Sequence, residues 1–447
     1  MDLNDGFAES AIVKQAANRP TAVRWRILAI LLAYSFMSWF NRMTMSVAYN
    51  EQIAPQLGID KETMGGVFSI LVLAYAFCMI PGGWLADRYG PWKALIAMGF
   101  GSALFQAATG WVGLLLPVSM LVAAWLVIRA LMGALSAPIY PSSGRIVSHW
   151  FPPQQRALAN GLVTGAALIG IASTFFGFGG LMALVGWPLA FVAVGVITAS
   201  AALLWTIYAT DRPSQHPGVN YEELQWIQSE PLMESPLENQ RLQASTAGWW
   251  HLFKNRSLVL LTISYAAVGY FEYLMYFWAQ NYFDDILKLG TARSRTYATL
   301  LNLAMAAGIM LGGAISDRLV RSFGYRRGRM LVPVCGMSAG AGLLYLGAGL
   351  QEPWIVLLCF SLAVAAVGAC EGPFWTIAID LGGARGSTSA AICNTGGNIG
   401  GAIAPRVTPW IGRVYDWPTA IAAGSLVCLA GVCLWWWIDP KEGVTDK

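Results

Sequence analysis

Apolar residues arrive along this chain in long blocks separated by short polar stretches. The blocks run near 25–49, 63–86, 92–113, 118–147, 157–181, 187–209, 257–283, 296–319, 328–350, 353–380, 385–411 and 417–438. Each is close to the roughly 20 residues that a helix needs to cross a bilayer core. A backbone in lipid has to satisfy its own hydrogen bonds, and a helix does so. The pattern predicts an all-α membrane protein of twelve transmembrane helices. A hydrophilic stretch rich in Glu, Gln, Ser and Pro, Asp211 to Arg256, splits them six and six. The expected organisation is a tail over 1–23, a six-helix bundle over 24–210, a linker over 211–256, a second six-helix bundle over 257–440 and a tail over 441–447.

Composition agrees. Of 447 residues, 56% are hydrophobic and 12% charged, against about 25% charged in ordinary soluble domains. Met1 to Val23 is polar and mixed, and the first apolar block is too long for a signal peptide and lacks a small-residue cleavage site. Charge sets the orientation. About 20 of the 28 Lys and Arg fall on the side that the termini share, and about five on the other. Both termini and the linker are therefore expected in the cytoplasm. This bias explains the net charge of +4, so no nucleic-acid surface is expected. The seven cysteines lie in or beside apolar blocks without CxxC or Cys/His spacing. No metal and no cofactor is expected. No nucleophile–base pair or P-loop is visible either, which argues against an enzyme.

A short motif occurs twice. Gly82-Gly83-Trp84-Leu85-Ala86-Asp87-Arg88 ends the second block, and Gly312-Gly313-Ala314-Ile315-Ser316-Asp317-Arg318 ends the eighth, its counterpart in the second half. The glycines allow close helix approach. Asp87, Arg88, Asp317 and Arg318 are candidates for bridges to an adjacent helix end that lock one conformation. With this repeat the whole chain resembles the major facilitator superfamily, and the resemblance implies two six-helix bundles rocking about a midplane site.

Charges inside the blocks are few, and each is costly enough to need a reason. Arg42 lies about seven residues, or roughly 10 Å, from the outer end of the first block, and Arg129 about eleven residues, or roughly 16 Å, into the fourth. Ser35, Ser38, Arg42, Ser46 and Tyr49 share a helical stripe, as do Arg129, Gly133, Ser136 and Tyr140. Two buried guanidiniums without an acid on the same helices call for an anion, because guanidinium stays charged when desolvated and grips carboxylate bidentately. The alternative is a structural arginine held by helix carbonyls or by an acid on another helix. The second half supplies acids instead, Glu272 among Tyr265, Gly269, Tyr273 and Tyr276, and Glu371 in Cys370-Glu371-Gly372-Pro373-Phe374-Trp375. Burial disfavours a charged carboxyl, which suits a proton-coupling site. The alternative for Glu371 is a fixed partner of a buried arginine such as Arg406. Asn394 and Asn398, one turn apart in the glycine-rich eleventh block, present amides able to hold hydroxyls. Pro373 and Pro405 can free carbonyls to line a cavity.

These residues are similar, more narrowly, to the anion:cation symporter branch that includes hexuronate, galactonate and related sugar-acid permeases. The similarity rests on Trp39-Phe40-Asn41-Arg42-Met43-Thr44-Met45-Ser46-Val47-Ala48, on Arg129 with Gly133, Ser136, Ala137, Pro138, Tyr140 and Pro141, and on Asn394-Thr395-Gly396-Gly397-Asn398 with Gly400 and Gly401. It implies that Arg42 grips a substrate carboxylate, that Trp39, Tyr75, Trp375 and Asn394 line the pocket, and that Arg129 adjusts coupling. Sugar-acid members commonly carry Asp where this chain has Asn41 and Glu where it has Ser136, the expected proton-coupling pair. Coupling here is expected to have moved to Glu371 or Glu272, to use another ion, or to be absent in favour of exchange. The resemblance further implies a monomer in a bacterial inner membrane taking up a small organic anion with a proton or other cation. Multidrug efflux is the runner-up, and the fifth block lacks the Gly-Pro kink typical of drug:proton antiporters. A transporter-like sensor is disfavoured by the short linker.

Overall fold

The computed structural model describes residues 20–228, 249–383 and 386–440. Twelve long helices follow one another. They are α1 (Val23–Leu57), α2 (Lys61–Tyr89), α3 (Pro91–Leu115), α4 (Val118–Trp150), α5 (Pro153–Val185), α6 (Trp187–Tyr208), α7 (Arg256–Ile286), α8 (Thr291–Phe323), α9 (Tyr325–Ala348), α10 (Pro353–Gly382), α11 (Gly386–Val414) and α12 (Trp417–Leu434). Eleven are apolar enough to cross a membrane on that count alone. The exception, α11, is 29 residues long, but Gly, Asn and Thr dilute its apolar character. Leu184, Ile207, Leu426 and Trp436 stand exposed on the outside, as residues facing lipid do.

Several helices outrun their apolar blocks. Predicted at 296–319, α8 spans Thr291–Phe323, and predicted at 157–181, α5 spans Pro153–Val185. Beyond the hydrocarbon region nothing forces a helix to stop, so the polar flanks continue it until a breaker intervenes. Gly186, Gly290 and Gly324 bound these helices with positive φ of 77°, 78° and 79°. Side-chain caps start others. Asp60, Asn255 and Asp416 accept from the backbone N–H of Thr63, Leu258 and Thr419 at 2.8, 2.8 and 2.6 Å. Partial burial opposes the charge on Asp60, but hydrogen bonds from Thr63 outweigh it and hold the carboxyl below its usual range.

The first six helices pack on one another, and so do the last six. In each half the fourth helix is broken, α4 at Ala137–Pro138 and α10 at Ala369–Cys370. The repeated glycine pair explains where the second helix meets that break. A Cβ on Gly82 would lie 3.2 Å from Pro138, and one on Gly312 would lie 2.1 Å from the carbonyl oxygen of Ala369.

Tighter still is the seam between α7 and α11. A Cβ on Gly400 would sit 1.8 Å from the carbonyl oxygen of Ala266, so the two backbones touch. Pro405, expected to open α11, does not interrupt it, since the helix runs on through both Pro405 and Pro409. Pro409 has no N–H for the Pro405 carbonyl, and the indole of Trp278 donates to that oxygen instead, at 3.1 Å. Gly400→Val is expected to lower stability by about 1–3 kcal/mol or more, because the added side chain overlaps fixed backbone. A lower melting temperature of the detergent-purified protein is the expected readout, and an unchanged one would contradict this packing.

Candidate functional site

Arg42 lies at the junction of the two halves. It is 4% exposed, and its guanidinium sits over the rings of Trp39 at 4.3 Å and Tyr75 at 4.4 Å. Cation–π contacts of this kind are worth about 2 kcal/mol each when desolvated. Its Nη1 donates to the hydroxyl of Tyr273 on α7 at 2.7 Å. That hydroxyl in turn donates to Asn398 Oδ1 on α11 at 3.4 Å. No carboxylate pairs with Arg42 among the described residues. The cation is oriented by aromatic faces and a phenol, and none of these neutralises it.

Around this centre the structure gathers five of the seven residues expected to bind substrate. Trp39 donates to Tyr140 at 2.7 Å, and Tyr75 packs beside them. Across the junction, Asn398 Nδ2 bonds the backbone and side chain of Asn394, and Asn394 approaches Met79 Sδ at 3.4 Å. Tyr140, Tyr273 and Met79 complete the site, and Tyr276 meets Trp39 edge to face at 6.4 Å. A signal existed for the tyrosines, since Tyr140 shares the Arg129 stripe and Tyr273 and Tyr276 follow Glu272 within one turn.

Arg129 does not join them. It is 1% exposed and lies behind α1, where Nη1 donates to the Asn41 carbonyl at 3.3 Å and the guanidinium faces Phe191 at 5.7 Å. Its Nε and Nη2 have no hydrogen-bond partner. Equal depth in the membrane placed the two arginines together, but helix rotation separates them. The bland reading, an arginine held by a helix carbonyl, describes its contact. Asn41 also turns inward, to Thr198 at 3.0 Å, and Ser136 bonds the Met132 carbonyl at 2.7 Å. Nearby, Tyr34, Ser38, Asn41, Ser102 and Thr198 border a void of about 10 Å³, the room of one water.

Glu371 is not paired with Arg406, which is exposed and lies against Gly66 of α2. Instead its Oε2 accepts from Tyr265 at 2.8 Å and from Trp375 at 3.2 Å. Trp375 is thereby tied to the acid rather than to Arg42. Glu272 lies against Glu371.

Of the repeated motifs, Asp317 makes a bridge from α8 to the start of the adjacent α9, and the ion pairs between the halves lie at the other end. Arg329 bonds Asp317 at 2.9 Å within the second half, Arg88 stacks on Trp84 and Tyr89, and Arg318 is exposed. The side chain of Asp87 falls outside the described residues. At the opposite end, away from the termini, Glu51 on α1 takes Arg295 Nε on α8 at 2.7 Å, a second bond from Arg295 Nη2, and Gln280 Nε2 at 2.6 Å. Arg295 also donates to the Gly179 carbonyl of α5 at 2.8 Å. Lys61–Asp285 at 2.8 Å and Arg413–Glu62 at 2.9 Å add two further bridges between the halves. Beneath them Phe68 stacks on Phe277 at 4.7 Å, and Ser46 donates to the Phe277 carbonyl. Neither the pairs nor the plug follow from a motif, because their members come from five separate helices.

Known proteins agree with this architecture. The sequence profile of the Major Facilitator Superfamily matches residues 31–392. The chain is 29% identical over 412 residues to the Bacillus subtilis (strain 168) protein named "Probable galactarate/D-glucarate transporter", covering 88% of this chain and 87% of that one. It is 27% identical over 429 residues to the D-galactonate transporter of Escherichia coli O6:H1, covering 93% and 95%. Among solved structures, a bacterial homologue of the human lysosomal transporter Spinster superposes with a TM-score of 0.76 at 15% identity, covering 96% of this chain and 99% of that one. Twelve helices in two halves, a buried cation at their junction and a profile match across most of the length place this chain in the Major Facilitator Superfamily, as a multi-pass membrane transporter rather than an enzyme.

Proposed function

We propose that the protein takes up a small organic anion bearing a carboxylate, a sugar acid or a related compound, across a bacterial inner membrane by alternating access, coupled to a cation. One observation carries this reading. Arg42 is a buried guanidinium with no acidic partner among the described residues, held at the junction of the halves by aromatic rings and a single phenol. A substrate carboxylate can displace the Tyr273 hydroxyl and supply the missing charge in bidentate geometry. The relatives that carry galactarate, glucarate and galactonate support the same class of cargo, and Asn394 and Asn398 offer amides for hydroxyl groups.

The excess of basic residues at the end that holds the termini supports a cytoplasmic placement for that end. The ion pairs and aromatic plug then close the periplasmic side. The N- and C-terminal halves, 24–210 and 257–440, would rock about the Arg42 junction, with the 211–256 linker between them and the protein acting as a monomer.

The test is flux into liposomes. The purified protein is reconstituted, and D-galactonate, galactarate and small aromatic carboxylates are screened for saturable uptake under a proton gradient alone and a sodium gradient alone. Saturable uptake of a carboxylate is expected. Transport of cationic or neutral aromatic compounds to the exclusion of every carboxylate would overturn the reading in favour of efflux.

A further inference from the structure

The second half contains a pair of acids for which anion binding has no use. Glu272 on α7 and Glu371 on α10, each half-buried, lie carboxyl against carboxyl inside the membrane-spanning region. Like charges in contact repel strongly, and such pairs hold a single proton between them. Glu272 Oε1 and Glu371 Oε1 are each buried without a partner, and one carboxyl proton supplies a donor that the site lacks.

The surroundings tell the two acids apart. Glu371 Oε2 accepts two hydrogen bonds, from the Tyr265 hydroxyl and the Trp375 indole. Both of these donors are spent on Glu371. Glu272 receives no donor from a neutral or basic side chain among the described residues. Among the described residues no Lys, Arg or His pairs with either acid. The other titratable groups facing the pair are Tyr265, Tyr276 and Tyr273 on α7, Cys370 on α10 and Cys393 on α11. None of them brings a positive charge.

We infer that Glu272 and Glu371 form a dyad that binds one transported proton, carried on Glu272 and donated to a charged Glu371. The protons titrate as a property of the pair. Glu272 directly precedes Tyr273, whose hydroxyl caps Arg42, and Glu371 directly follows the break in α10. Gain or loss of the proton therefore acts on the two elements that change when a carboxylate displaces Tyr273. One proton enters with the anion from the periplasmic side and leaves to the cytoplasm, and the dyad returns to its starting state. The coupling role rests on the anion-carrier reading above, whereas the shared proton does not.

Two measurements separate them. Infrared difference spectra of the full-length purified protein across a pH titration should show a protonated-carboxyl carbonyl band. The band should vanish in Glu272→Gln and shift in Glu371→Gln. A band unchanged in both variants would overturn the dyad. In liposomes, the ratio of proton-driven accumulation to exchange of preloaded D-galactonate should fall about tenfold or more in Glu272→Gln. An unchanged ratio would remove the dyad from coupling. Loss of exchange together with a lower melting temperature in both variants would make the pair structural and overturn the proposal. An intact band with no carboxylate moved by the unmodified protein would uphold the shared proton while overturning the carrier reading.

Discussion

Replacing Arg42 by alanine is expected to reduce anion uptake by about 10²–10³-fold, since removing one partner of a desolvated charge pair costs about 3–4 kcal/mol. The folded protein should survive the change. Arg42 bonds one phenol and stacks on two rings, and it neutralises no buried acid, so its loss leaves no orphaned charge behind. Arg42→Lys is the informative companion. Lysine keeps the charge but not the planar fork, so uptake should recover only in part. Flux in liposomes and the melting temperature in detergent are measured for both variants. Near-normal uptake in Arg42→Ala would sink the assignment of the anion anchor, and loss of folding would leave Arg42→Lys to decide it.

Glu51→Gln is expected to loosen the closed end. The Glu51 side chain is 4% exposed and takes both nitrogens of the Arg295 fork together with Gln280. Breaking a buried pair by removing one partner costs about 3–5 kcal/mol, because the other charge is left uncompensated. In the opposite conformation the two side chains part into water, so the loss falls on the closed state alone. A bias of about 3 kcal/mol corresponds to roughly 150-fold in the ratio of conformers. Hydrogen exchange at the ends of α1, α7 and α8 should become faster by an order of magnitude or more, and net transport should slow. The exchanged pair, Glu51→Arg with Arg295→Glu, should restore much of the protection. Unaltered exchange in Glu51→Gln would mean that the Phe68–Phe277 plug closes that end without help from the ion pair.

The sequence by itself determined the solvent, the helices and their two-fold repetition. Bilayer thickness imposes a length on each apolar block, and internal hydrogen bonding leaves helices as the answer for an unbroken run. Both are local constraints, so they are written along the chain. The repeated Gly-Gly-x-x-small-Asp-Arg motif marked equivalent ends of α2 and α8 for the same reason. Arg42 was legible because a charge inside a block stands out against its neighbours.

What the tertiary structure decided is which helix faces meet. Arg42 and Arg129 have equal standing in sequence and similar depth, yet one faces the junction and the other backs onto Asn41 and Phe191. An apolar helix gives little sign of its rotation, because lipid and helix neighbours are both apolar, and packing sets it instead. Glu272 and Glu371 lie 99 positions apart in the chain and meet only because α7 and α10 bring them together. The pairs that close the far end likewise join positions as distant as Glu51 and Arg295. Such contacts carry no local signature, since each partner alone reads as an ordinary charge at a helix end.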